Sequence, residues 1–185
     1  MLALLGPSVD DAPPAPTPPP RYSGAFIGVE AGSGLAFSTD GREEAGFSAR
    51  LALRASTVLQ LADVNLGFDH ERFEGPVAYR LSLATQLHPM FLFMLGNDRL
   101  WMSLASIYLR LGLGASFLRG RGVDDWGGSW DWGVGLDVPL FDPDAGQSLW
   151  LGAEYRRTSL LDPPPGHAEP GQTTSLRLGW RVNAL

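Results

Sequence analysis

A chain of 185 residues with 44% hydrophobic residues, 23 glycines, 15 prolines and no cysteine has room for one domain or one small closed barrel, and no disulfide framework, thiolate metal site or thiol nucleophile. Its formal charge of -6 argues against a nucleic-acid partner, which needs a basic footprint. No apolar run reaches the roughly 18 residues of a transmembrane helix, which leaves β-strands as the only means of crossing a bilayer.

Residues 1–21, MLALLGPSVDDAPPAPTPPPR, contain a four-residue apolar run with no basic residue before it, so they are not a complete signal peptide. The segment fits the remnant of a signal region followed by an extended polyproline linker over Pro13–Pro20, or a disordered tail. The folded part is expected over 22–185.

From there, period-2 alternation predicts eight strands: Tyr22–Phe37, Gly46–Ser56, Val58–Asp69, Val77–His88, Tyr108–Leu118, Ser129–Phe141, Ser148–Thr158 and Thr173–Asn183. Their length exceeds that of ordinary soluble strands and suits tilted membrane strands. In the second, Phe47, Ala49, Leu51 and Leu53 oppose Ser48, Arg50 and Arg54. The third departs from the rule at its start, VLQLA, where Leu59 and Leu61 fall on the polar face. The sixth is the clearest, with Trp130, Trp132, Val134, Leu136 and Val138 alternating with Asp131, Gly133, Gly135 and Asp137. Leu136 is placed near the middle of its membrane span. The eighth sets Leu176, Leu178, Trp180 and Val182 against Arg177, Gly179 and Arg181.

The connectors after the odd-numbered strands, STDGREEA, HERFEGP, RGRGVDDWGG and SLLDPPPGHAEPGQ, read as long polar loops; those after the second and sixth read as short turns. That asymmetry is the one outer-membrane barrels show between outer loops and periplasmic turns. With Asp69, which precedes the second of them, the four long connectors hold ten acids and four arginines, an excess of acids equal to the formal charge of the whole chain. Between the fourth and fifth strands, residues 89–107 form an insert read as an interfacial helical element, with a further strand as the alternative.

The unlike faces pose one question: which of them meets water. The polar face is made of glycine, serine and charges of both signs, with Arg50, Arg54, Arg80, Arg110, Arg156, Arg177 and Arg181 sharing one space with Glu30, Asp63, Asp131, Asp137 and Glu154. Eight strands close around an interior that side chains just fill, where desolvated arginines need carboxylate partners. These twelve residues are therefore expected to form a charge network in the lumen. Glu30 is expected to sit among Arg50, Arg54, Arg177 and Arg181. On the apolar face, Phe37, Phe47, Phe68, Tyr79, Phe117, Trp130, Trp132 and Tyr155 fall at the outer ends of seven strands and read as an aromatic girdle; Tyr22, Trp180 and Phe141 are inner-rim candidates. All 14 basic residues are arginine, and the missing lysines are unusual for a soluble β-protein surface, although genome composition produces the same bias.

The pattern resembles the small eight-stranded outer-membrane barrels of the OmpA and OmpX type, over about Tyr22 to Leu185, in its alternation, loop asymmetry and girdle. It departs from them at the C-terminal RVNAL, which follows the last aromatic, Trp180. The resemblance implies an all-β, antiparallel up-and-down transmembrane β-barrel. It also implies a location in the outer membrane of a Gram-negative bacterium and contacts with outer-membrane lipid and the barrel insertion machinery. A monomer is expected.

No catalytic motif, cofactor site or metal site is expected. His70 and His167 read as loop residues, and none of the three histidines has a second histidine at ligand spacing. The expected function is that of a non-enzymatic integral outer-membrane protein, serving envelope structure, surface contact or a narrow pore. One alternative is a soluble lipocalin-like carrier with an apolar cavity. Another is a lipid A acyl-modifying barrel enzyme using His70 with Asp69 and Glu71, although no serine nucleophile lies near.

Overall fold

A computed structural model describes residues 25–37, 45–58, 61–75, 77–90, 106–120, 123–140, 147–162 and 171–183. They build eight antiparallel strands: β1 (Phe26–Phe37), β2 (Ala45–Val58), β3 (Ala62–Arg72), β4 (Val77–Leu87), β5 (Tyr108–Gly120), β6 (Val123–Pro139), β7 (Gln147–Leu160) and β8 (Gln172–Asn183). Each pairs with its neighbours in chain order, and β1 closes the barrel against β8 from Phe26↔Asn183 to Phe37↔Gln172. Closure leaves no free sheet edge. We call the end bearing the β1–β2, β3–β4, β5–β6 and β7–β8 connectors upper, and the opposite end lower.

The barrel is inside out relative to a soluble one. Along β4, Ala78, Arg80, Ser82, Ala84 and Gln86 are buried, while Tyr79, Leu81, Leu83 and Leu87 are exposed. The same holds on β6, where Asp131 and Asp137 are buried and Trp130, Trp132, Val134 and Val138 face out. Small residues make room for the large polar ones: a Cβ on Gly135 would run into the Tyr108 ring and hydroxyl, so only glycine admits that side chain. Apolar residues are buried mainly at the two ends. Ala78, Leu118 and Leu160 cluster at the upper end, and Phe26 and Trp150 line the lower.

Three sequence expectations need correction. The connector RGRGVDDWGG is mostly strand: β5 runs to Gly120 and β6 starts at Val123, its register partner, leaving a two-residue connection. Gly120 has φ 127°, a left-handed value that lets the chain turn back so tightly. HERFEGP begins as strand, since β3 continues to Arg72 and β4 starts at Val77. The loops after the third and fifth strands are thus short, because acids and glycines that look like loop on composition pair normally in a ladder. Finally, the break at VLQLA is the turn itself. β2 continues to Val58, with a bulge between Ser56 and Val58, and Thr57 Oγ1 donates to the Ala62 carbonyl at 3.1 Å. Among the described residues there is no helix; the insert expected to be helical falls largely on 91–105, outside them, as do residues 1–21.

Candidate functional site: the charged lumen

Inward alternation on all eight strands delivers seven arginines and seven carboxylates to the buried interior of the described barrel. The arginines are Arg50, Arg54, Arg80, Arg110, Arg156, Arg177 and Arg181; the acids are Glu30, Asp63, Asp69, Glu71, Asp131, Asp137 and Glu154. The equal numbers make a neutral interior when every group is charged and His88 is not.

A lower hub is centred on Arg54 and Asp137. Arg54 Nη1 donates to Glu30 Oε1 at 2.8 Å and to Asp137 Oδ2 at 2.6 Å, while its Nε and Nη2 both reach Asp63 Oδ2, at 2.9 and 2.6 Å. Asp137 also accepts from Arg177 Nη2 at 3.0 Å and Arg181 Nη2 at 2.5 Å. Arg177 Nη1 donates to Glu30 Oε2 at 3.0 Å, and its Nη2 to the Tyr108 hydroxyl. That hydroxyl in turn donates to Glu154 Oε2 at 2.8 Å. Beneath this hub, the Arg181 guanidinium stacks 4.2 Å from the Trp150 ring and 4.5 Å from Phe26, so aromatic rings line the lower mouth with a cation above them.

An upper hub gathers Asp69 and Glu71. Asp69 accepts from Arg50 Nη1 at 2.8 Å and Arg156 Nη1 at 2.8 Å; Glu71 accepts from Arg156 Nη2 and Thr173 Oγ1, both at 3.2 Å. Arg80 Nη1 donates to Thr158 Oγ1 at 2.7 Å. Asn65 Oδ1 joins the upper hub to the Arg110–Asp131 pair by accepting from Arg50 at 2.6 Å and Arg110 at 3.4 Å, and Arg110 Nε reaches Asp131 at 2.6 Å. Such charge-assisted, multiply donated contacts are the form in which buried guanidinium groups offset their desolvation.

All twelve residues expected in the lumen are buried there. One detail differs: Glu30 pairs with Arg54 and Arg177 and lies 3.8 Å from Arg181, whereas Arg50 turns to Asp69 and Asn65. The expected network left out Asp69, at the end of the third strand, and Glu71, assigned to a loop, and also Asn65, Tyr108 and His88. His88, just past β4, brings Nε2 to 2.9 Å from Asp63 Oδ2. The signal for Asp69 and Glu71 was present in their odd numbering, which continues Asp63 and Asn65. His70 lies between them in sequence but on the other face, against Tyr79 outside the barrel with ring centroids 4.9 Å apart. The wall therefore separates His70 from both acids. His167 lies outside the described residues.

Outside, Phe37, Phe47, Phe68, Tyr79, Phe117, Trp130, Trp132 and Tyr155 all stand on the outer wall. Because β6 begins at Val123, Trp130 and Trp132 sit lower than their sequence assignment, beside Leu113 and Leu111; Trp126, opposite Phe117, takes the rim position. At the lower end Trp180 faces out, while Tyr22 and Phe141 lie outside the described residues.

No protein-family model and no curated protein matches the chain. Among solved structures, the crystal structure of Neisserial surface protein A matches with a TM-score of 0.52 at 16% identity, covering 89% of this chain and 99% of that one. At that identity the likeness shows the fold: the chain has the architecture of a small eight-stranded outer-membrane β-barrel.

Proposed function

We propose that this chain is an integral outer-membrane β-barrel of a Gram-negative envelope, non-enzymatic and monomeric, delivered by the barrel insertion machinery, with a lumen that is braced and not conducting. One observation carries the reading: the barrel buries its charges and exposes Leu51, Leu81, Leu83, Leu111, Leu113, Leu176 and their neighbours all round the wall. In water such a continuous apolar surface would drive aggregation, whereas in a bilayer it is the required face. The likeness to a protein named as a surface protein supports the same location. A lipocalin-like carrier is disfavoured because its ligand cavity would have to occupy the space taken by the ion-paired hubs. A narrow pore is disfavoured for the same reason, since a permeating ion would have to displace contacts of 2.5–3.0 Å at Asp137. What remains is envelope structure or surface contact.

Fractionation tests the membrane assignment. The full chain, expressed in a Gram-negative host, is expected in the outer-membrane fraction and to migrate differently on a gel before and after heating. Recovery as a monodisperse soluble protein without detergent sinks the reading.

The upper end is proposed to face outward. An epitope between Glu74 and Gly75, exposed in the short β3–β4 connector, is expected to be labelled on intact cells with the barrel retained. The same insertion between Asp124 and Asp125 interrupts a paired strand and is expected to lower the heating temperature at which the folded band disappears. Labelling at Glu74–Gly75 only after the envelope is broken would reverse the orientation.

A further inference from the structure

While seven arginines are locked inside, Arg72, Arg119 and Arg157 face outward among the described residues. Two of these three share one register row near the upper rim: Arg72 pairs across to Val77, and Val77 to Arg119. Their Cα atoms are thus two strand spacings apart, about 9–10 Å, which two long side chains can bridge toward one small anion. Arg72 has no ion pair among the described residues, and Arg119 reaches only Asp124, at 3.9 Å with the two side chains 70% and 63% exposed. Such a pair contributes little and yields readily to a better acceptor. Asp125, the next acid, pairs across to the inward-facing Leu118 and so belongs to the mouth, not the wall.

The row directly beneath is aromatic across four strands. His70, Tyr79, Phe117 and Trp126 are successive register partners. Their rings touch in series, with centroids 4.9 Å apart for His70–Tyr79, 6.5 Å for Tyr79–Phe117 and 4.9 Å for Phe117–Trp126. Such amphipathic rings mark the level at which hydrocarbon meets headgroups. One row further down, Ala115 and Gly128 are partners, and the Leu161 side chain lies over Gly128. Below that row, the wall carries an apolar groove of about 570 Å³ bordered by Leu83, Leu111, Leu113 and Trp130. Cations, a ring boundary and an apolar trough follow one another down the same strands.

We propose that this face binds a membrane lipid with a phosphorylated headgroup, the phosphate held between the Arg72 and Arg119 guanidinium groups and an acyl chain laid in the trough below. Guanidinium forks suit phosphate oxygens, and a half-dehydrated interface strengthens the contact. The assignment rests on the membrane reading and adds to it a chemistry that an apolar wall alone does not provide.

The test uses the full chain folded in detergent, with native mass spectrometry reading lipid adducts after addition of phosphatidic acid or of phosphatidylcholine with the same acyl chains. Wild type is expected to retain phosphatidic acid roughly tenfold better, the scale of one hydrogen bond between charged groups. Arg72→Gln with Arg119→Gln should erase the preference, and each single change should reduce it. Arg157→Gln should leave it intact. Equal retention of the two lipids by wild type, or an undiminished preference in the double variant, overturns the proposal. Displacement of the adduct by millimolar inorganic phosphate would also overturn it, because the site would then recognise the free anion and not the lipid. Heat-modifiable migration of every variant confirms that a folded barrel is being compared. Failure of the membrane reading would show separately, as solubility without detergent.

Discussion

Asp137→Ala is expected to destabilise the folded barrel by about 3 to 5 kcal/mol, the range for removing one partner from a buried ion pair. Asp137 is buried and accepts from Arg54, Arg177 and Arg181, contributed by β2 and β8, while it stands on β6. Its loss leaves three buried guanidinium groups sharing Glu30, Asp63 and Glu154, two of which already serve Arg54. Asp137→Asn keeps an acceptor oxygen and should lose less. Asp124→Ala, on an exposed carboxylate, should be close to neutral. Equilibrium unfolding in detergent reads all three. An effect below about 1 kcal/mol for Asp137→Ala would mean that the interior charges are separately hydrated, and the braced lumen would have to be given up for an open channel.

Leu113→Arg should cost about 2 to 4 kcal/mol of insertion free energy if the wall lies in a bilayer, and that cost should fall to about 0 to 1 kcal/mol at the end of the same strand, in Leu109→Arg. Leu113 is 67% exposed, midway along β5 between Leu83 and Trp130. The alternation in the sequence favours Leu136 for this experiment, as the middle of Ser129–Phe141. With β6 running from Val123 to Pro139, Leu136 is only a few residues from the lower end and a weaker probe. Unfolding in lipid vesicles measures the contrast. Equal, small effects at Leu113 and Leu109 would remove the depth dependence that a bilayer imposes, and the membrane assignment with it.

The alternation makes the faces legible because the side-chain period of a strand is two, and a one-residue error would invert every assignment. For that reason the order of residues alone is enough to put Asp131 and Asp137 inside, along with Glu30 and the arginines. Strand ends are not legible in the same way. Asp69 and Glu71 sit in DHERFE, and Asp124 and Asp125 in GVDDWGG, where acid and glycine content imitates a loop even though the ladder continues. Partner choice is not legible either. Arg50 and Arg54 lie on one face of one strand, yet they serve different hubs because β3 offers Asp69 to one and Asp63 to the other. His88 closes the expected fourth strand, but its contact with Asp63 depends on how β3 and β4 pair, and the Tyr108 ring depends on the space left at Gly135 on the next strand.

The closure of β1 on β8 has a kinetic side. Glu30 receives Arg177 from the far end of the chain, and Asp137 receives both Arg177 and Arg181, so the lower hub cannot be completed until the last strand docks. Before that moment each of these groups can remain hydrated in an open, curved sheet. Afterwards, opening the β1–β8 seam means rehydrating several ions at once as well as breaking a full ladder. The seam is therefore the last to form, and contacts made after a rate-limiting step act mainly on the rate of unfolding.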